Sequence, residues 1–187
     1  MAIKIFIDQG HNPTNPNAGA EGNGYREQDL VYQIGVLTAD LLRQNPNFEV
    51  RLSRNSPDEI LGTTTSESLA ARVNAANSWG ADYFISLHAN ASTITSASGN
   101  EAYVYSFGSQ AYELAQNILS GLQMYTGIVS RGVFERPTLY VLRRTSMPAT
   151  LVELGFITNP SDAQLMAERP ELFAEGIYDG ILNYFDL

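Results

Sequence analysis

Apolar positions along the chain follow two rhythms, a period of two and a period near 3.6, and these alternate. Ile3 to Asp8 (IKIFID) is a compact apolar run that reads as a buried strand. The stretch DQGHNPTNPNAGAEGNGYR that follows is dense in Gly, Asn and Pro, which marks a long loop. Loops of that length in compact domains are usually functional or mobile. From about Arg26 to Leu42 the apolar residues Leu30, Ile34, Leu37 and Leu41 step by three and four, predicting a helix with one inward stripe. FEVRLS, Phe48 to Ser53, alternates like a strand. Residues 58 to 81 read as helical from about Ser66, with Leu69, Val73 and Ala76 on one side.

The second half continues the alternation. Tyr83 to Leu87 reads as a strand that stops at His88, and Gly99 to Phe107 as another. SQAYELAQNILSGLQMYTG is an amphipathic helix closing near Gly127. LYVLRR is expected as a short strand. PATLVELGF carries apolar residues for both faces, as an interior strand requires. Asn159 to Ala167 resembles a capped helix, and Pro170 to Tyr184 a final one. Strands alternating with helices predict an α/β fold with one mainly parallel sheet covered on both sides. Repeats, linkers and low-complexity tracts are not seen, and residues 1–187 are expected to form one domain.

Composition narrows the chemistry. With 187 residues, of which 44% are hydrophobic, the chain can bury a full core. Its 20 acidic against 11 basic residues give a net charge of −9, which speaks against a nucleic-acid partner, since phosphates need a basic face. Without cysteine there is no disulfide, thiolate metal site or cysteine nucleophile. Imidazole chemistry rests on His11 and His88, the only two histidines. No apolar run reaches the roughly 18 residues of a membrane span. The opening MAIKIFIDQGH lacks the pattern of a signal peptide and reads as the first strand. The expectation is a monomer without export information of its own, acting after release by lysis or within a longer exported chain.

Three polar residues sit at comparable places. His11 follows the strand IFID, His88 ends YFISL and Glu153 ends ATLV. In open α/β sheets ligands collect at the carboxyl ends of strands, so these three groups are brought towards one edge. Glu27 precedes Leu30 by three positions and falls on the inward stripe of the first predicted helix. A buried carboxylate needs a compensating partner, and the helix dipole offers only a small part. Two histidines, one carboxylate and water make a catalytic zinc set with one position open. Such zinc makes hydroxide available near neutral pH, and an unligated carboxylate, here Glu153, fits a general base that later protonates a leaving amine. Taken singly, each residue has a plainer reading. Each histidine could be a hydrogen-bonded loop residue, Glu27 a first-turn helix acid, and Glu153 an ion-pair partner of Arg143 or Arg144.

These residues lie in segments that resemble the zinc-dependent N-acetylmuramoyl-L-alanine amidases of the amidase-3 type. IFIDQGH resembles the opening strand and first histidine. EGNGYREQDLVYQIGVLTADLL resembles the glutamate segment and first helix, and LSRN a short strand ending in Ser/Thr-Arg. ESLAARVNAANSWGADYFISLHANAS is similar to the stretch with the second histidine. SRGVFERPTLYVLRRTSMPATLVELGFITNPSD resembles the C-terminal core with its ELGF glutamate. The likeness runs from about Ile3 to Tyr184. It implies a twisted, mostly parallel sheet flanked by helices. It also implies one Zn2+ on His11, Glu27 and His88, Glu153 as catalytic acid/base, and peptidoglycan as substrate. The bond cleaved is then the amide between the lactyl group of N-acetylmuramic acid and L-alanine. One departure is that Asn12 and Pro13 follow His11 where the family usually has glycines, which bears on the shape of that loop.

Four arginines between Arg131 and Arg144 bear on substrate binding, because arginine forks suit the carboxylates of the stem peptide. Arg131, Arg136, Arg143 and Arg144 are candidates, against the alternative of plain surface charges. Asn90 either orients a ligand or substrate or serves as a strand-end turn residue. Arg72 and Asn77 match the family and are expected to be structural, and Trp79 to be packing cover. Two other functions compete: a zinc peptidase or carboxypeptidase of similar form, and an inactive wall-binding module. The presence of all four site residues argues against the latter.

Overall fold

The computed structural model describes residues 2–187. Six strands form one sheet in the order β4-β1-β5-β8-β6-β7, where β1 is Ile3–Gln9, β4 Phe48–Leu52, β5 Tyr83–Asn90, β6 Asn100–Val104, β7 Ser130–Glu135 and β8 Ala149–Phe156. All pairings are parallel except β6 with β8, which run antiparallel. A small antiparallel ribbon, β2 (Glu21–Gly22) with β3 (Tyr25–Arg26), lies in the long loop after β1.

The strands form because their side chains alternate between two apolar layers. Ile5, Ile7, Ile85, Leu87, Ala102, Val104 and Val152 face α1 (Glu27–Arg43), α3 (Gln110–Thr126), α5 (Pro160–Glu168) and α6 (Pro170–Tyr184). Phe6, Phe84, Ala149 and Leu151 face α2 (Thr65–Trp79) and α4 (Tyr140–Arg144). Helices therefore cover both faces, four on one and two on the other, as α/β layering requires. Helix ends follow capping chemistry: Thr64, Ser109 and Asn159 cap α2, α3 and α5, and Gly80 and Gly127 close α2 and α3 in the left-handed region.

Several expectations are corrected. LYVLRR is not a strand: Tyr140–Arg144 is helical and buries Val141 and Leu142 beside α2. A short apolar run with no strand available to pair it is decided by packing, which here favours the helix. Conversely SRGVFE forms edge strand β7, whose alternation is weak because its side chains are half-buried or exposed. The strand expected to stop at His88 runs on to Asn90, with an irregularity in its pairing to β8 between these two residues. The inward face of α1 is rotated: Leu30 and Ile34 are buried, but Thr38, Ala39 and Leu42 complete the face while Leu37 and Leu41 are only half-buried.

Candidate active site

The two helices on the α2/α4 side cover only the lower part of the sheet. Above Leu151 the same face carries a polar row. His88 on β5 lies opposite Glu153 on β8, which lies opposite Glu101 on β6. His11 reaches this row from the loop after β1, and Glu27 from the first residue of α1.

Close approach in this corner depends on glycine. A Cβ on Gly10 would stand 2.6 Å from the His88 ring, and one on Gly19 2.8 Å from the Glu27 carboxylate. His11 itself is held at a φ of 67°, in the left-handed region a non-glycine residue occupies only when its surroundings enforce it. Arg72 supplies that enforcement. Its guanidinium, 1% exposed, donates to the carbonyls of Gln9 (2.6 Å) and His11 (2.5 Å) and pairs with Asp8 at 2.6 Å. Burial alone would raise Asp8, but Arg72 and the Ser86 hydroxyl outweigh it and hold the carboxyl below its ordinary value. Asn12 locks the loop: its side chain bonds Pro16, both backbone groups of Leu61, and Arg72. This side-chain hub stands directly after His11 in the chain.

The structure thus brings together three of the four predicted residues at ligand distance. His11 Nε2, His88 Nδ1 and Glu27 Oε1 form a triangle of 3.0, 3.0 and 3.1 Å. The backbone N–H of Ala89 donates to Oε1 and that of Ala20 to Oε2, so Glu27 is an ionised acceptor. Burial would raise its carboxyl, yet the two histidines hold it far below the usual range. Each of these three atoms turns a lone pair or ring edge towards the same point, the arrangement of a shared ligand set. A cation resolves the crowding, and ligands about 2.0–2.1 Å from zinc in a tetrahedron stand roughly 3.3 Å apart, close to what is seen. The donor set therefore fits a divalent metal.

Glu153 stands beside this triangle without joining it. Its Oε2 is buried with no hydrogen-bond partner among the described residues. Burial, helped by the charges of Glu27 and Glu101, pushes its carboxyl up to about 8. A cavity of about 160 Å3 opens against His11 and His88, walled by Leu69, Leu139, Tyr140 and Leu151.

The candidate binding residues separate. Arg131 donates to Glu101 at 2.7 Å and Asn90 donates to the same carboxylate at 2.9 Å, so both brace a buried acid. Arg143 lines a different cavity, with Tyr105, Pro148 and Ala149 at the far end of β8. Asn77 ties α2 to the segment after α4 through Arg144 and Ser146, and Trp79 packs under Lys4 and Arg51. Glu101 was not singled out in the sequence. Its signal was the alternation of Glu101 and Tyr103 with apolar Ala102 and Val104, which puts the pair on the site's face.

Comparison with known proteins now decides the family. Residues 5–183 match Amidase_3, described as N-acetylmuramoyl-L-alanine amidase. The chain belongs to this family. It is accordingly an N-acetylmuramoyl-L-alanine amidase that acts on peptidoglycan. The N-acetylmuramoyl-L-alanine amidase CwlM of Bacillus licheniformis is 35% identical over 99% of this chain and 70% of its own length. The sporulation-specific N-acetylmuramoyl-L-alanine amidase of Bacillus subtilis is also 35% identical, with 69% of its length covered. The crystal structure of an N-acetylmuramoyl-L-alanine amidase from Clostridium difficile 630 superposes with a TM-score of 0.87 at 34% identity, covering 99% of this chain and 97% of that one. No helix among the described residues is long and apolar enough to cross a membrane.

Proposed function

We propose that His11, Glu27 and His88 hold one Zn2+ per chain and that Glu153 is the acid/base of muramoyl–alanine amide hydrolysis. The observation that carries this reading is the unpartnered buried carboxylate of Glu153 next to a triangle of acceptor atoms about 3 Å on a side. When bound, zinc supplies Lewis-acid polarisation and a more acidic water. The protein's own groups do the rest. Glu153 accepts a proton from the attacking water as oxygen adds to the lactyl carbonyl carbon. It returns that proton to the alanine nitrogen as the C–N bond breaks, leaving a lactyl carboxylate and a free amine. With no hydrogen-bond partner among the described residues, Glu153 Oε2 is free to take up and return that proton. The Ala20 and Ala89 amides and the Arg72 network hold the triangle in place.

All three proposed ligands come from one chain, so the site needs no second copy to be complete. We place its action at the wall, after lysis or within a longer exported chain. The N-acetylmuramoyl-L-alanine amidase LytC of Bacillus subtilis, a 36% identical relative, is much longer, the match covering 35% of it. The test is Glu153→Gln. On purified sacculi this change is expected to lower the release of L-alanine amino groups by about 10²–10⁴-fold with zinc content intact. Near-normal release from the zinc-loaded variant overturns the assignment. New amino groups arising within the peptide instead would point to the peptidase alternative.

A further inference from the structure

Beside Glu153 the same sheet face grows more open towards β7: Tyr103 of β6 is half-buried against the α2/α4 cluster, and Phe134 of β7 is exposed. Tyr103 lies two residues along β6 from Glu101 on the same face, and Phe134 of β7 lies opposite Tyr103. The two rings are tilted with centroids 6.4 Å apart, and Phe134 is 39% exposed. Arg136, just beyond β7, lays its guanidinium over the Tyr103 ring at 5.2 Å. Each part is fixed from beneath. The Tyr103 hydroxyl donates to Glu101, the Arg136 N–H donates to the Val104 carbonyl at 2.8 Å, and Pro137 restricts Arg136 to extended backbone.

The charges single out Arg136. Of the four arginines in this segment, Arg131 is committed to Glu101, while Arg143 and Arg144 sit on α4, Arg143 at the far-end cavity. Arg136 forms no ion pair among the described residues, and the neighbouring Glu135 carboxylate accepts instead from the Phe107 N–H. A guanidinium stacked on an aromatic ring keeps its edge donors free for a planar acid. The rest of the site is acidic, with Glu27, Glu101 and Glu153 on its floor, so an anionic group is drawn to Arg136.

We infer that the Arg136–Tyr103–Phe134 shelf is a subsite for the stem peptide, with Arg136 binding the free carboxylate of its second residue and Phe134 underlying the aliphatic part. The register supplies the spacing. Tyr103 stands one strand across from Glu153 and two residues along, a displacement of roughly 8 Å. An extended peptide covers about the same distance between the scissile amide and the residue after L-alanine.

The inference rests on the amidase reading above, and the experiment separates the two. Cleavage is measured on an N-acetylmuramoyl dipeptide with a free α-carboxylate on its second residue and on the same dipeptide with that carboxylate amidated. The wild type is expected to prefer the acid, and Arg136→Ala to lose about 10–100-fold in kcat/KM on it, mainly through KM, so that the preference collapses towards one. Arg136→Lys, which keeps charge but not the fork, is expected to restore only part of the preference. Equal losses on both substrates, or none, overturn the subsite. Binding of the intact acid dipeptide to Glu153→Gln and to Glu153→Gln/Arg136→Ala reads the contact without turnover. Equal affinities overturn the subsite even if the amidase reading stands, whereas failure of the wild type to free the alanine amine overturns the amidase reading itself.

Discussion

Glu153 is placed where ionisation is costly, and this is measurable apart from catalysis. Its carboxyl is held at about 8 in the folded chain against an ordinary 4.5, chiefly by burial. The unfolded chain gives up this proton at lower pH, so the metal-free protein loses stability as pH rises through that window. Metal-free Glu153→Gln is therefore expected to be more stable than the wild type at pH 9, by up to about 5 kcal/mol, and about equal to it at pH 4.5. Chemical denaturation at the two values checks this; a constant difference refutes it. That His11, Glu27, His88 and Glu153 meet in one corner was legible in the sequence, because each follows or ends an apolar run or falls on a helical stripe. Glu101 was not, because its importance comes from facing Glu153 across a strand pairing that no local pattern announces.

At the level of elements, β1 and α2 are joined by the buried Asp8–Arg72 pair, each side chain 1% exposed. Removing one partner strands a buried charge, so Asp8→Asn is expected to cost about 3 kcal/mol at neutral pH. The Asp8 carboxyl is lowered from 3.8 in the fold, so this contribution is present above that value and fades as acid protonates the group. Urea midpoints of wild type and variant should therefore converge in acid. Helices α3 and α6 approach so closely that a Cβ on Gly121 would stand 2.1 Å from the carbonyl oxygen of Gly176. Gly121→Ala should lower the melting temperature although alanine favours helix, because backbone cannot give way as a side chain would; the expected loss is about 1–3 kcal/mol. Amphipathic helices such as α3 were readable from period alone. The α4 segment was not, since five residues show no period and its state follows from the neighbours that bury Val141 and Leu142.

For the whole molecule, proposed metal binding couples the loop after β1, the start of α1 and strand β5 into one unit. Zinc at a thousand times its dissociation constant should add about 4 kcal/mol of stability. In a chain of this size that raises the melting temperature by roughly 10 °C. Calorimetry with zinc, with chelator, and on His88→Ala checks this, the variant being expected to show no zinc effect. The α/β class was legible because a sheet covered on both sides needs strands that are apolar on both faces. The reversal of β6 was not, because strand direction leaves no mark on a period of two. That reversal has a consequence for how the fold can change. A link between parallel neighbours must travel the depth of the sheet and back. The link from β5 to β6 instead starts just past His88 and returns at Glu101, so both of its ends stand on the rim of the site. It can lengthen or shorten without shifting any strand, and Asp162 tacks it down through Ser98 and Gly99. Residues 91–99 are thus the segment where an insertion would reshape the substrate's surroundings and leave the strand order untouched, which makes them the natural place to graft a new specificity.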